Sequence, residues 1–405
     1  MSELNFTGDG NNNASVPPNP QDYLDFLVSL LQIIADDDTN LGRVYSLLQE
    51  NLTKLDDTFI NILRYWATTT WSEVQPQEAL IIAAAIVNFS NLIRSFPYGN
   101  MATNLEIAIA GCEVVAPILT REALPEFWAT TQNILGAVYR IRIAGDRPQN
   151  IDIAIACYQN ALQVRTQTAF PELWAATQNN LGNAYNERIL GERAENVEVA
   201  ITCFQAALQV RTRTAFSVEW ATTQNNLGIG YYNRLNGDRA ENLEQAIICY
   251  QNSLQIRTQT DFPEKWAETQ NNLANAYGER IKGDRAENIE AAISAFQAAL
   301  QIYTRSSFPQ DWAMIQNNLG EAYRDRINGN STENLLTAIS AYEAALQVYT
   351  RSSFPEQWAI VQNNQGIAYY SLQDGDRALN LEQAISCYHN AFITVKITKN
   401  GGAIS

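Results

Sequence analysis

The sequence is poorest in histidine: 405 residues carry one, His389. Nucleophilic catalysis by serine or cysteine needs a neighbouring base, most often histidine. His389 lies inside a repeated helical pattern and reads as a helix-surface residue. Phosphate loops are missing too, because the recurrent Gly-Asp-Arg turns lack a Gly-Lys-Ser/Thr ending. Clustered ligands with metal-site spacing are absent. The expectation is a protein that is not an enzyme, with no cofactor and no metal.

Positive charge is also short. Twenty-seven Lys and Arg stand against 43 Asp and Glu, a formal net charge of −16. Nucleic acid and anionic membrane surfaces attract the opposite sign, so neither is an expected partner, whereas a protein or peptide with a basic segment is. Long apolar runs are lacking. The strongest, Ala79 to Val87, is too short to span a bilayer. No charged start and apolar run follow Met1, so no signal peptide is read. Of five cysteines, Cys157, Cys203, Cys249 and Cys387 share one repeat position and Cys112 sits one off it. That is not a disulfide framework. They read as small buried residues in a reducing cytoplasm. Proline and glycine are few and regularly placed, except in residues 1–21, an Asn-, Gly- and Pro-rich tail expected to be mobile.

What is present is one period. Trp128, Trp174, Trp220, Trp266, Trp312 and Trp358 are each 46 residues apart. The same step carries a glycine ladder (Gly145 to Gly375) and an asparagine ladder (Asn150 to Asn380). Self-similarity of this kind marks a repeat array.

One unit shows the logic. Trp174, Leu181, Tyr185 and Ile189 fall on one helical face from Pro171 to Ile189. Pro171 and Glu172 suit its start, and Gly191 suits its stop. A second helix runs from about Val197 to Thr212, with Val197, Ile201, Phe204 and Leu208 as its stripe, Asn196 as N-cap, and Arg211 and Arg213 at its negative end. Gly182, repeated as Gly136, Gly228, Gly320 and Gly366 with Ala274 once, sits mid-helix. Glycine costs about 1 kcal/mol there, so close helix approach is its expected return, with Ala200 and Ala207 opposite. The unit is an antiparallel helix pair.

Leu181-Gly182, Tyr185, Ala200, Phe204 and Ala207 resemble the tetratricopeptide signature Leu-Gly, Tyr, Ala, Phe, Ala. The usual repeat has 34 residues, so this one is longer, and its Gln-Asn-Asn-Leu start is similar to the longer repeats of kinesin light chains. The resemblance implies an all-α, right-handed superhelical solenoid of antiparallel helix pairs with an N-terminal helical cap. The expected layout is a tail at 1–21, a helical cap at 22–72, a degenerate repeat at 75–120, six repeats at 121–397 and a flexible tail at 398–405. The chain also resembles the front part of cyanobacterial proteins in which such repeats precede a CHAT caspase-like peptidase module. A regulatory subunit of such a system is therefore one alternative function. A structural homo-oligomer joined through the C-terminal repeat is another.

Asparagine is a mediocre helix former, yet pairs sit inside five first helices: Asn179-Asn180, Asn225-Asn226, Asn271-Asn272, Asn317-Asn318 and Asn363-Asn364, with Asn133 alone in the first repeat. By the tetratricopeptide resemblance, first helices line the concave face and the second asparagine of each pair looks into the groove. The first lies about 100° round the helix and either shares the groove or braces a neighbour. An amide both donates and accepts, so the row suits the backbone of an extended peptide. The alternative is that each amide ties one repeat to the next. Positions one and two turns later vary: Ala137, Arg140 and Ile141; Asn183, Asn186 and Glu187; Ile229, Tyr232 and Asn233; Asn275 and Glu279; Glu321, Arg324 and Asp325; Ile367 and Tyr370. The groove so drawn is polar to acidic in its middle. Its candidate contacts, besides the asparagines above, are Asn183, Tyr232, Asn275, Arg324 and Tyr370. The expected function is a protein- or peptide-binding scaffold. Arg142, Arg188, Arg234, Arg280 and Arg326 read as structural ion-pair partners of nearby acids within the repeat, with Leu372 breaking the series, and the tryptophans read as packing.

Overall fold

A computed structural model describes residues 19–36 and 41–401 of the chain. Residues 1–18 of the expected tail lie outside them, as do residues 37–40 and 402–405. Every regular element among the described residues is a helix. The chain divides into two compact units, residues 1–190 and 191–405.

The first unit holds α1 (Pro20–Ala35), α2 (Leu41–Glu50), α3 (Asp57–Glu73), α4 (Pro76–Ile93), α5 (Met101–Val114), α6 (Pro125–Ile141), α7 (Arg147–Leu162) and α8 (Pro171–Glu187). Its first five helices run between Pro20 and Val114. They close over a core of large side chains, among them Leu27, Leu30, Leu48, Phe59, Leu63, Ile86, Phe89 and Ile93, none with measurable exposure. α4 is the longest apolar helix. Its 18 residues are long and apolar enough, by length and composition, to cross a membrane, which corrects the shorter run read from the sequence. Here it packs against α1 and α5.

The second unit holds α9 (Arg193–Leu208), α10 (Ser217–Asn233), α11 (Arg239–Leu254), α12 (Pro263–Glu279), α13 (Arg285–Ala299), α14 (Pro309–Arg324), α15 (Ser331–Leu346), α16 (Pro355–Ser371) and α17 (Arg377–Gly401). Successive helices pair, α10 with α11, α12 with α13, α14 with α15 and α16 with α17, and the pairs stack. α17 runs past 398, where a tail was expected.

The repeat's recurring residues explain the stacking. Phe262 precedes Pro263 at the N-cap, with φ −139° and ψ 62°, and the Trp266 amide donates to its carbonyl at 2.8 Å. The ladder tryptophans are half-buried in the inter-repeat cores, as Trp266, Trp312 and Trp358 show. The mid-helix glycines Gly136, Gly228, Gly320 and Gly366 face tyrosine rings. A Cβ at Gly228 would lie 2.6 Å from Tyr250, and one at Gly320 would lie 2.6 Å from Tyr342. Close approach is thus the return on a poor helix former.

The loop residues depart from the sequence reading in instructive ways. Asn196 is no N-cap: α9 starts at Arg193, and Asn196 is buried inside it. The caps are Asp146, Asp238, Asp284 and Asn330. The asparagine column instead latches the loop from within the helix. Asn242 Nδ2 donates to the Asn236 carbonyl at 2.9 Å and Asn288 Nδ2 to that of Lys282 at 2.9 Å. A buried amide finding backbone acceptors satisfies both partners. Gly191 does not end α8. It stands in the loop, at φ +77°, and so do its equivalents. That left-handed turn directs the chain into the next helix. Ile189 is not on the apolar face but 61% exposed in the loop, in a row with Ile143, Leu235, Ile281 and Ile327. Arg211 turns from its helix end and donates to Thr223 Oγ1 at 3.0 Å.

Candidate functional site

The arginine ladder forms ion pairs, with one correction. Each arginine reaches back to the preceding second helix, not within its own repeat. Arg280 Nε and Nη2 grip Glu244 at 2.8 Å, Arg234, Arg326 and Arg142 grip Glu198, Glu290 and Glu106 in the same way at 2.7 to 3.0 Å, and Arg188 Nε donates to Asp152 at 2.7 Å. The Arg guanidinium holds the Glu244 carboxyl below the usual carboxylate range. Where Leu372 breaks the series, the partner position 36 residues earlier is Leu336, so acid and arginine are lost together.

The asparagines also bridge neighbours. Asn272 Nδ2 donates to Asn225 Oδ1 at 3.2 Å, Asn364 Nδ2 to Asn317 Oδ1 at 3.0 Å and, in the first unit, Asn180 Nδ2 to Asn133 Oδ1 at 3.4 Å. The first member of one pair receives the second member of the next. Asn179, Asn225, Asn271 and Asn317 are buried, at 0 to 8% exposure. As ligand contacts they are corrected by that burial, and within the second unit the amide of the following repeat closes on Asn225 and Asn317. In the last pair the order inverts, with Asn363 exposed and Asn364 buried. Asn180, Asn226, Asn272 and Asn318 are half-buried, as are Asn133 and Asn183. Arg324 is turned to its neighbour Asp325 at 2.9 Å. Tyr370, 58% exposed, lies under the Arg377 guanidinium at 5.5 Å.

Three of the expected residues do come together. Tyr232, Asn275 and Asn318 line a cavity of about 900 Å³ within the second unit, between α10, α12, α13 and α14. Its origin is an absence. The position of Tyr232 holds Arg140, Asn186, Arg324 and Tyr370 in other repeats, but in the α12 repeat it holds Gly278. A Cβ there meets nothing within 4 Å. Sequence reading passed over Gly278 and the linings Arg239 and Arg285. Gly278 was detectable as the one glycine in a column of large polar residues.

The walls carry both signs of charge, mostly spent. Glu279 accepts from the Tyr232 hydroxyl and from Arg239 Nη2, whose guanidinium stacks on the Tyr232 ring at 5.1 Å. Burial, then the hydrogen bond to Glu279, pushes the Tyr232 hydroxyl well above its ordinary range. Asp325 has Arg324 at 2.9 Å and Arg285 at 4.0 Å. Arg280 is taken by Glu244. Glu321 differs: its Oε1 accepts only amides, from Asn317 at 3.0 Å and Asn364 at 2.8 Å, and among the described residues it forms no ion pair. Asn318 points its amide at Asn275 at 3.2 Å, away from the usual rung partner. Buried Asn271 Oδ1 is left unpartnered as a result.

Residues 238–400, a stretch shorter than half the chain, match the family described as Soluble NSF attachment protein, SNAP. No curated protein matches the chain in sequence. Among solved structures it is similar to the APC/C hetero-tetramer Cut9-Hcn1 at 16% identity and TM-score 0.45, over 92% of this chain and 62% of that chain's length. It is similar to the apo form of RapI at 14% identity and TM-score 0.48, over 84% of this chain and 99% of that one. A Rap protein complexed with competence and sporulation factor is similar at 12% identity and TM-score 0.47, over 94% and 97%. The recurrent helix pair, with its signature glycine, tyrosine and alanines in packing contact, makes this chain a TPR-like helical repeat protein.

Proposed function

We propose that the protein is a binding scaffold for a protein or peptide, and that the cavity beside Gly278 is its anchor site. The observation that carries this is the omission of a side chain. Against a frame of ion pairs and amide bridges that repeats from one helix pair to the next, one repeat leaves open about 900 Å³ at the varying positions Tyr232, Asn275, Gly278 and Glu321. Pockets with a few convergent polar groups are the usual binding sites. Glu321 is the lining charge that forms no ion pair among the described residues, so the preferred occupant is a lysine or arginine side chain of an extended segment. The Asn275 and Asn318 amides stand beside it for the segment's backbone.

The test is to fill the cavity. Gly278→Tyr is helical, meets open space and restores the residue type of position 232. It should retain the fold by circular dichroism and lose binding of lysine- and arginine-containing peptides from an immobilised peptide library by tenfold or more. Glu321→Gln should remove the preference for basic over neutral peptides. Unchanged binding in Gly278→Tyr would sink the reading.

A further inference from the structure

α17 presents a face that its internal counterparts bury. Ile155, Ile201, Ile247, Ile293 and Ile339 hold one repeat position at 4 to 6% exposure, and Ile385, at the same position, is 67% exposed. Beside it Leu379 is 51% and Phe392 68% exposed. Glu382 and His389 are exposed on the same face. Helical spacing sets Leu379, Glu382, Ile385, Ser386, His389 and Phe392 within about 70° of one line.

Two departures from the repeat say what covers this face. The Leu379 position holds Gln149, Glu195, Glu241, Glu287 and Glu333 in other repeats, all polar. The Phe392 position holds leucine in all five. A following repeat is met by the internal pattern, so it does not account for the added apolar bulk. A second α17 does. The face is symmetric about the point between Ile385 and Ser386. Antiparallel pairing about a two-fold axis sets Leu379 against Phe392 of the partner subunit and Glu382 against His389 of the partner subunit, with Ile385 at the centre. Both polar groups gain a complementary neighbour, and the apolar ones lose water.

We propose that two copies of this chain associate through this face of α17, in an isologous antiparallel dimer. The patch is one helix wide, which places the contact among small, weak and transient interfaces. Dissociation constants on the order of micromolar are expected.

Sedimentation velocity on the full chain, from submicromolar to a hundredfold higher concentration, should show a monomer–dimer transition. Ile385→Glu with Phe392→Glu should abolish it while leaving the thermal melt unchanged. Glu382→Lys and His389→Glu should each weaken association at least tenfold, and together should restore it. A monomer throughout that range overturns the proposal. So does a dimer indifferent to the apolar double variant, growth into larger oligomers, or failure of the charge swap to restore pairing. None of these outcomes bears on the cavity.

Discussion

The first five helices and the repeats of the second unit reach stability differently. The former bury many large apolar side chains in one cluster, with Phe59 packed against Phe26 at 5.4 Å and Phe89 at 6.0 Å. The latter have thin cores of alanine, isoleucine and leucine around a few buried rings such as Tyr250 and Phe296, with half-buried tryptophan and tyrosine at their margins. They rely on the same few polar latches, used again at each junction. A single cluster concentrates its energy in irreplaceable residues, whereas an array spreads it over equivalent ones.

Phe59→Ala breaks the comparison most. It empties a fully buried site and should cost about 3–5 kcal/mol, read as a lower denaturation midpoint of the first unit. Gly228→Ala comes next. Its Cβ lies 2.6 Å from Tyr250, and overpacking should cost about 1–3 kcal/mol. Adding Tyr250→Phe copies the native Ala274 and Phe296 combination, which share one core, and should recover part of the loss in thermal melts. Glu244→Gln should cost least, under about 1 kcal/mol for a pair still partly in water. Its deficit should depend on pH. The folded carboxyl is held below its ordinary value by Arg280. The pair's contribution is therefore present above about pH 4.3, the unfolded value, and vanishes as pH falls through the folded one. The Phe59→Ala deficit should show no such fading, since no proton is involved.

Much of this was legible in the sequence, because period and helical spacing are written in residue type. The helix pairs, the Ser217 start and the cap helices followed from it. Depth did not. Asn225 and Asn226 look alike in sequence, and only the seating of the next repeat puts the first at zero exposure. Asn196 obeyed the N-cap rule by composition, but the chain had entered the helix earlier, at a cap lacking a side-chain bond. Ile189 kept the helical spacing while the helix stopped at Glu187. Gly278 was missed because glycine was read only as a turn or close-packing residue, not as a gap.

The fixed offsets of the latches have an evolutionary consequence. Arginine reaches its acid 36 residues back, and asparagine its partner 47 residues back. An unequal exchange that adds or removes 46 residues therefore rejoins like with like at the new junction. The chain can change its copy number in one genetic step without first being destabilised, while an insertion of a few residues inside a helix turns its latch residues away from their partners.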